Sequence, residues 1–383
     1  MINITMLYVN FKNILIFSDN YRYFKLTNYI FRNWERKELN NILKINSGRD
    51  YKQLNSGSIP VYGTGGYMLS VNDKLSDTDA AGIGRKGTID KPLYLKAPFW
   101  TVDTLFYCTS RENSDVKFIY LLFQIINWKR YDESTGVPSL SKNTISNIKT
   151  YVPKIKEQDY ISKLFFSLDN TLQLYERKCE ELALIKKALL QKLFPKKDEF
   201  KPEVRYKNFS DTWEQRKLGE IVKATIGEFV IKTKQKEDSP YPVYNGGTSY
   251  TGFYDDYNNS PNKIIISARG ANAGFVNIVR QRYWAGNSCY SLSIINNQEV
   301  DLDYLYQMLK QRQHLFTDFQ QAANIPSVSK KDVETFIIYT SSFEEQKKIG
   351  EFLIKFDSLI ALHQRKLEKL KQLKKFLLQN MFI

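Results

Sequence analysis

An internal repeat constrains this chain more than any other feature of its sequence. Three segments in the first half return in the second: WERKEL at 34–39 as WEQRKL at 213–218, IPVYGTGG at 59–66 as YPVYNGG at 241–247, and VPSLSK at 137–142 as IPSVSK at 325–330. The offset grows from 179 to 188 positions and then stays at 188 to the end. This pattern predicts two copies of one unit, each with a variable first part and a second part of fixed length.

The second part of each unit has the pattern of a long helix. Its apolar positions in the first copy are Ile161, Phe165, Leu168, Leu172, Tyr175, Cys179, Leu182, Ile185, Leu189 and Leu193, and the same positions return 188 residues later from Ile349 to Met381. Spacings of three and four residues are typical of a coiled-coil seam. Residues 157–194 contain no Pro or Gly, and Pro195 ends the helix. His363 stands where the first copy has Tyr175, which indicates a seam residue rather than a metal ligand.

The first part of each unit has a mixed pattern. Short β-rich runs such as 93–95 and 263–266 alternate with turns, and helical stretches at 116–129 and 302–316 precede the Pro-Ser loops. The predicted fold class is therefore α+β, with two mixed α/β domains that are each followed by one long coiled-coil helix. The predicted boundaries are an N-terminal extension (1–30), a first domain (31–153), a first helix (154–195), a linker (196–208), a second domain (209–341) and a second helix (342–383).

The extension has no counterpart in the second copy. Its apolar run at 14–17 lacks a basic leading region and a small-residue cleavage site, so we do not expect a signal peptide. A mis-assigned start and an extra strand both remain open.

Charge and cysteine content narrow the function classes. The formal net charge is +15, which favours a polyanionic partner such as nucleic acid, although the Lys-rich composition of an AT-rich genome gives the same excess. The three cysteines are far apart, which excludes a disulfide framework and a CxxC metal site and fits a reducing cytoplasm. No stretch approaches the length of a membrane span.

Three loops in each copy carry candidate DNA-contacting residues. They are Tyr62 and Tyr244 at glycine turns, Arg85, Lys86 and Arg269 in small-residue loops, and Ser139, Lys142, Ser327 and Lys330 in the Pro-Ser loops. The glycine turns either present amides to a phosphate or need positive φ for a tight turn. The cations either contact guanine and phosphate or are solvated charges. The Pro-Ser loop serines bind phosphate, cap a helix, or do both.

The ordered set of these motifs, written twice, resembles the specificity subunit of type I restriction-modification enzymes. The resemblance covers about residues 31–383, although FRNW at 31–34 is one residue shorter than FSDTW at 209–213. It implies that each domain reads one half of a split target in double-stranded DNA and that the two helices pack antiparallel as a spacer. It also implies two methyltransferase subunits, which use S-adenosylmethionine, and two restriction subunits, which use ATP and Mg²⁺. This chain itself is then expected to be cytoplasmic, to have no cofactor and to perform no catalysis.

Two other function classes stay open at this point. The sequence has no methylation motif of the Asn-Pro-Pro-Tyr type, no phosphate-binding loop with Lys-Ser or Lys-Thr, and no His-Glu-x-x-His. A methyltransferase or nuclease with an unusual site is the first alternative, and activity of the isolated chain would reveal it. A coiled-coil scaffold without a DNA role is the second, and salt-dependent binding to duplex DNA would exclude it.

Overall fold

A computed structural model of the chain describes residues 34–196, 198–317 and 326–382. The predictions about residues 1–30 lie outside these ranges. The fold divides into two compact units: the first combines residues up to Leu174 with the segment from Lys366, and the second runs from Tyr175 to Arg365. Each unit therefore contains one globular domain and a part of both long helices. The sequence, in contrast, predicts domains followed by whole helices, because a linear pattern does not show which distant segments pack together.

From residue 34 onwards, where the structure describes it, the first unit contains three small sheets. The strands are β1 (Glu35–Glu38), β2 (Leu43–Ser47), β3 (Ser56–Gly63), β4 (Gly66–Val71), β5 (Ala80–Gly84), β6 (Leu93–Leu95), β7 (Trp100–Thr101), β8 (Leu105–Ser110) and β9 (Lys149–Val152). β1 pairs antiparallel with β9. The other sheets have the orders β2-β8-β5-β6 and β4-β3-β7.

The second unit repeats this topology strand for strand. Its strands are β10 (Glu214–Lys217), β11 (Val222–Ile226), β12 (Tyr241–Tyr244), β13 (Gly252–Tyr254), β14 (Lys263–Ser267), β15 (Val276–Val279), β16 (Trp284–Ala285), β17 (Cys289–Ile294) and β18 (Ile337–Thr340). β10 pairs with β18, and the larger sheets have the orders β11-β17-β14-β15 and β13-β12-β16. The internal repeat and the α+β class predicted from the sequence are confirmed.

The four helical stretches predicted from the sequence are present with some changes in length, and short helices that were not predicted lie between them. They are α1 (Val116–Ile125), α2 (Lys142–Asn147), α3 (Ile155–Leu193), α4 (Leu218–Ile221), α5 (Leu302–Arg312), α6 (Lys330–Thr335) and α7 (Phe343–Met381). The long helices α3 and α7 have 39 residues each. α1 and α5 end earlier than the predicted 129 and 316, because short 3-10 turns follow them at 128–131 and 313–316.

Each long helix is fixed to its own domain by the same hydrogen bond. The Gln158 side chain of α3 accepts a bond of 2.9 Å from the backbone N–H of Asp115, and the Gln346 side chain of α7 accepts one of 3.1 Å from the backbone N–H of Asp301. Both glutamines are buried. Asp115 and Asp301 in turn cap the N-termini of α1 and α5.

Within each unit, segments of the two long helices run antiparallel. In the first unit Asp169 pairs with Lys374 and Phe165 contacts Phe382, so the numbering rises along α7 as it falls along α3. In the second unit Lys186 pairs with Asp357, and the rings of Tyr175 and His363 are 5.4 Å apart. His363 thus packs at the seam, as the pattern predicts. The seam prediction is wrong at Ile185, which is 48% exposed.

The predicted linker packs onto the second unit. The guanidinium of Arg205 donates bonds of 2.7 and 2.8 Å to the two carboxylate oxygens of Glu345, a fully buried residue of α7. The backbone N–H of Trp213 donates to the Phe200 carbonyl at 2.9 Å. Segment 198–208 is therefore held by specific contacts rather than acting as a free tether.

Candidate nucleic-acid interface

Two of the predicted loops are adjacent in the first unit. The backbone N–H of Leu140 donates to the Arg85 carbonyl at 2.9 Å, and that of Gly87 donates to the Pro138 carbonyl at 2.8 Å. Lys86 and Ser139 form an isolated antiparallel bridge between these bonds. Backbone pairing thus places Gly87 and Ser139 close together, although they are 52 residues apart in the sequence.

The second unit has the same arrangement. The backbone N–H of Val328 donates to the Ala268 carbonyl at 2.8 Å, and that of Gly270 donates to the Pro326 carbonyl at 2.9 Å. Arg269 and Ser327 form the corresponding bridge. Because the bonds recur, the pairing of the arginine loop with the Pro-Ser loop is a property of the repeated unit.

The glycine turns complete the cluster. A Cβ placed on Gly87 would lie 3.8 Å from Thr64 Oγ1 in the β3–β4 turn. In the second unit Ser267 Oγ donates to the Gly247 carbonyl at 2.9 Å. Gly66 and Gly246 have φ values of +108° and +77°, a region that L side chains rarely adopt, which supports the tight-turn interpretation. Each unit therefore joins three loops, which we call the loop cluster: 63–67, 84–87 and 137–142 in the first unit, and 245–250, 268–270 and 326–330 in the second.

The cations of each loop cluster are exposed beside a buried aromatic ring. Arg85 Cζ and Lys142 Nζ each lie 5.8 Å from the ring centroid of Phe106 in β8. The equivalent strand β17 places Tyr290 beside Arg269. Burial raises the pKa of Tyr290, and the positive charge of Arg269 opposes that rise. Arg85, Lys86, Lys142, Arg269 and Lys330 are exposed, so all five can reach a ligand at the surface.

The serines of the Pro-Ser loops divide into two roles. Ser141 caps α2 by accepting a bond of 3.1 Å from the Thr144 N–H. Ser329 caps α6, and its backbone N–H donates to Asp332 in a capping box. Ser139 and Ser327 instead occupy the bridges to the arginine loops. The helix-cap interpretation therefore holds for the second serine of each loop, while the DNA-contact role of the first stays a prediction.

Tyr62 and Tyr244 lie deeper than the other predicted residues. Both are half-buried. The ring of Tyr62 packs against the apolar cluster that contains Phe99 and Leu105, and the ring of Tyr244 lies 5.8 Å from Tyr283. Burial raises the pKa of Tyr244. Other aromatic residues of these domains are more exposed, among them Tyr67, Phe229 and Tyr250. None of these three was predicted from the sequence motifs. No pattern in one sequence separates an exposed loop tyrosine from a packed one.

Across residues 34–196, 198–317 and 326–382, no group of three or more His, Cys, Asp or Glu is arranged to hold a metal ion. Burial raises the pKa of the Cys108 thiol and raises that of Cys289 to about 12, so both thiols are neutral near pH 7. Within the same ranges, no helix is apolar over a length that would cross a bilayer.

Comparison with known protein families identifies the domain in which each loop cluster lies. The family described as the type I restriction modification DNA specificity domain matches the chain twice, at residues 32–184 and 210–372. The chain belongs to this family. Each match of the specificity domain includes one complete loop cluster and the adjoining part of a long helix.

Individual relatives and a solved structure agree with this assignment. The chain is 26% identical over 151 residues to a putative type I specificity subunit of Mycoplasma pneumoniae, covering 39% of this chain and 40% of the relative. It is 25% identical over 280 residues to the putative MjaX specificity subunit of Methanocaldococcus jannaschii, covering 67% and 65%. The aligned regions thus span less than two thirds of each relative. A crystal structure of a type I restriction-modification S subunit from M. genitalium matches with a TM-score of 0.74 at 17% identity, over 92% of this chain and 96% of that one, which shows the shared fold.

Proposed function

We propose that this chain is the DNA-recognition subunit of a type I restriction-modification complex, with one half of a bipartite duplex target read by each unit. The observation that carries the proposal is the loop cluster, which occurs once in each specificity domain. In both clusters, backbone pairing fixes an arginine loop against a Pro-Ser loop and leaves their cations exposed. Since the two clusters differ in sequence, the two half-sites are free to differ.

Different side chains of the loop cluster are suited to DNA phosphates and to bases. Lys86, Lys142 and Lys330 are point charges suited to phosphate, which gives affinity without sequence information. Arg85 and Arg269 carry planar donors that match the O6 and N7 acceptors of guanine in the major groove. We assign Ser139 and Ser327 to phosphate contacts between these cations, because their loops are fixed by the bridges to the arginine loops.

The partners and cofactors belong to the same proposal. Adenine methylation with S-adenosylmethionine is assigned to two methyltransferase subunits, and cleavage with ATP and Mg²⁺ to two restriction subunits. The chain itself would place the target for them in the bacterial cytoplasm and would carry out no chemistry. The support is the family membership, because both matches are to a DNA specificity domain.

Co-expression with the methyltransferase subunit of the same system tests this function. We expect sequencing of modified bases to show one bipartite adenine motif that appears only when both chains are present. Arg85→Ala and Arg269→Ala should each reduce methylation of that motif, whereas Arg36→Ala, an exposed arginine on β1 outside the cluster, should not. Methylation or cleavage of DNA by the isolated chain would favour the enzyme alternative instead.

A further inference from the structure

One exposed tyrosine recurs in the corresponding hairpin of both units. In the β3–β4 hairpin Pro60 pairs with Ser70, and in the β12–β13 hairpin Pro242 pairs with Phe253. Tyr67 stands three residues before Ser70, and Tyr250 stands three residues before Phe253. The two tyrosines thus stand at the same sequence distance from this pair, although Tyr67 pairs with Tyr62 after a register shift and Tyr250 precedes β13.

Both side chains are exposed and are placed alike. Tyr67 is 63% exposed and Tyr250 is 52% exposed. Each leans on the residue three positions later: Tyr67 Oη lies 3.2 Å from Ser70 Oγ, and the Tyr250 ring lies 4.8 Å from the Phe253 ring. A single exposed tyrosine is ordinary in a soluble protein. Its recurrence in the corresponding hairpin of both units, each time in contact with the residue three positions later, points to a cause common to both units.

Each tyrosine belongs to the loop cluster of its own unit. The Tyr67 ring packs edge-on against Tyr62 at 6.4 Å, on the hairpin whose turn reaches Gly87 of the arginine loop. On the Tyr250 side, a Cβ placed on Gly246 would lie 3.0 Å from the Arg269 carbonyl oxygen. An exposed amphipathic ring with two χ angles, on a hairpin whose turn contacts the arginine loop, is suited to base edges, where its face contacts a thymine methyl and its hydroxyl forms a hydrogen bond.

We propose that Tyr67 and Tyr250 are specificity-determining residues that contact base edges, one in each half of the target. This inference rests on the proposed function and adds to it, because Tyr62 and Tyr244, the tyrosines that the motifs indicate, are packed into the domains. The lysines of each loop cluster hold the phosphates, and the tyrosine reads base pairs next to those read by the arginine.

The test is a binding series on the complex with its methyltransferase subunit, using the methylated motif and versions with single base-pair changes. Tyr67→Ala should weaken binding about tenfold and lower discrimination at base pairs of one half only, and Tyr250→Ala should do so in the other half. Tyr67→Phe and Tyr250→Phe should recover most of the affinity, since they keep the ring. Tyr160→Ala, which removes a tyrosine 47% exposed on α3, is the matched control and should bind like the wild type.

A second readout locates the contact directly. Thymines of the target are replaced one at a time by 5-iodouracil, and the crosslinked peptides are identified after irradiation. Crosslinks should fall on the peptide of Tyr67 in one half-site and on that of Tyr250 in the other.

The outcomes separate this inference from the proposed function. If Arg269→Ala loses binding while both tyrosine variants keep wild-type affinity and discrimination, the tyrosine proposal is overturned and the proposed function stands. If the tyrosine variants instead lose the methyltransferase subunit and keep DNA discrimination, the aromatic face serves a protein partner and the proposal is again overturned. A wild-type complex that shows no sequence preference would overturn both.

Discussion

The ammonium of Lys374 lies 2.6 Å from the carboxylate of Asp169, and the same ion pair occurs in the second unit between Lys186 and Asp357 at 2.5 Å. Lys374 stands 188 positions after Lys186, and Asp357 stands 188 positions after Asp169. One lysine–aspartate pair is thus built twice, with the helix that supplies each partner exchanged. The duplicated pair fixes the antiparallel register of the long helices within each unit.

Exchanging the charges of one pair tests this register. Asp169→Lys and Lys374→Asp should each lower the melting temperature, because each places like charges together. The double variant should recover part of the loss, with a coupling free energy of about 1 kcal/mol. The Lys186–Asp357 pair should couple more strongly, because Gln307 also donates to Asp357 at 2.6 Å. Additive effects in both units would show that the pairs do not set the register.

The buried carboxylate of Glu345 should be far more important for stability than its equivalent in the first unit. Glu345→Gln leaves Arg205 without its charged partner, and breaking such a buried pair costs roughly 3–5 kcal/mol. Glu157 is the equivalent residue of the first unit. Its carboxylate accepts a hydrogen bond of 2.9 Å from an uncharged donor, the indole N–H of Trp34. Glu157→Gln is therefore the matched control, with an expected loss of about 1 kcal/mol. Urea unfolding measures both, and equal losses would contradict this account of the Arg205 contact.

Lys310 should make stability depend on pH in the alkaline range. Burial, together with the nearby charge of Lys186, lowers the pKa of Lys310 to about 8. Between pH 8 and the ordinary lysine value, the unfolded chain binds a proton that the folded chain does not, so this group adds stability as the pH rises.

Lys310→Met removes this titration and is expected to melt at a higher temperature than the wild type at pH 7. The difference between the two proteins should shrink from pH 8 upwards. Melting curves measured across this range check it, and a constant difference would mean that Lys310 does not titrate there. Lys163→Met is the control, because the adjacent Asp159 raises the pKa of that exposed lysine.

The loop-cluster lysines should contribute affinity without sequence information. Lys142→Met and Lys330→Met are each expected to weaken binding to every duplex similarly and to reduce the salt dependence by about one unit of slope. Titrations of target and non-target DNA at several salt concentrations measure this. A loss confined to the target sequence would instead make these lysines base readers.

The repeat, the fold class and the three candidate loops of each copy could be predicted from the sequence, because repeated motifs and turn residues can be read from the sequence alone. The pairing of arginine and Pro-Ser loops could not, since it depends on backbone bonds such as that from Leu140 to Arg85. Exposure also escaped prediction. Tyr62 and Tyr67 are the same residue type and lie on one hairpin. Only packing against the core decides which of them faces solvent. Ile185 follows the seam spacing and is nevertheless exposed.

The central claim is that each unit independently reads half of a target. The direct measurement is to exchange residues 209–341 for the same region of another specificity-domain protein and to map methylated adenines in cells that express the hybrid with its methyltransferase subunit. We predict a new bipartite motif in which one half is changed and the other half is that of the wild type. A motif changed in both halves, or unchanged in both, would contradict the account.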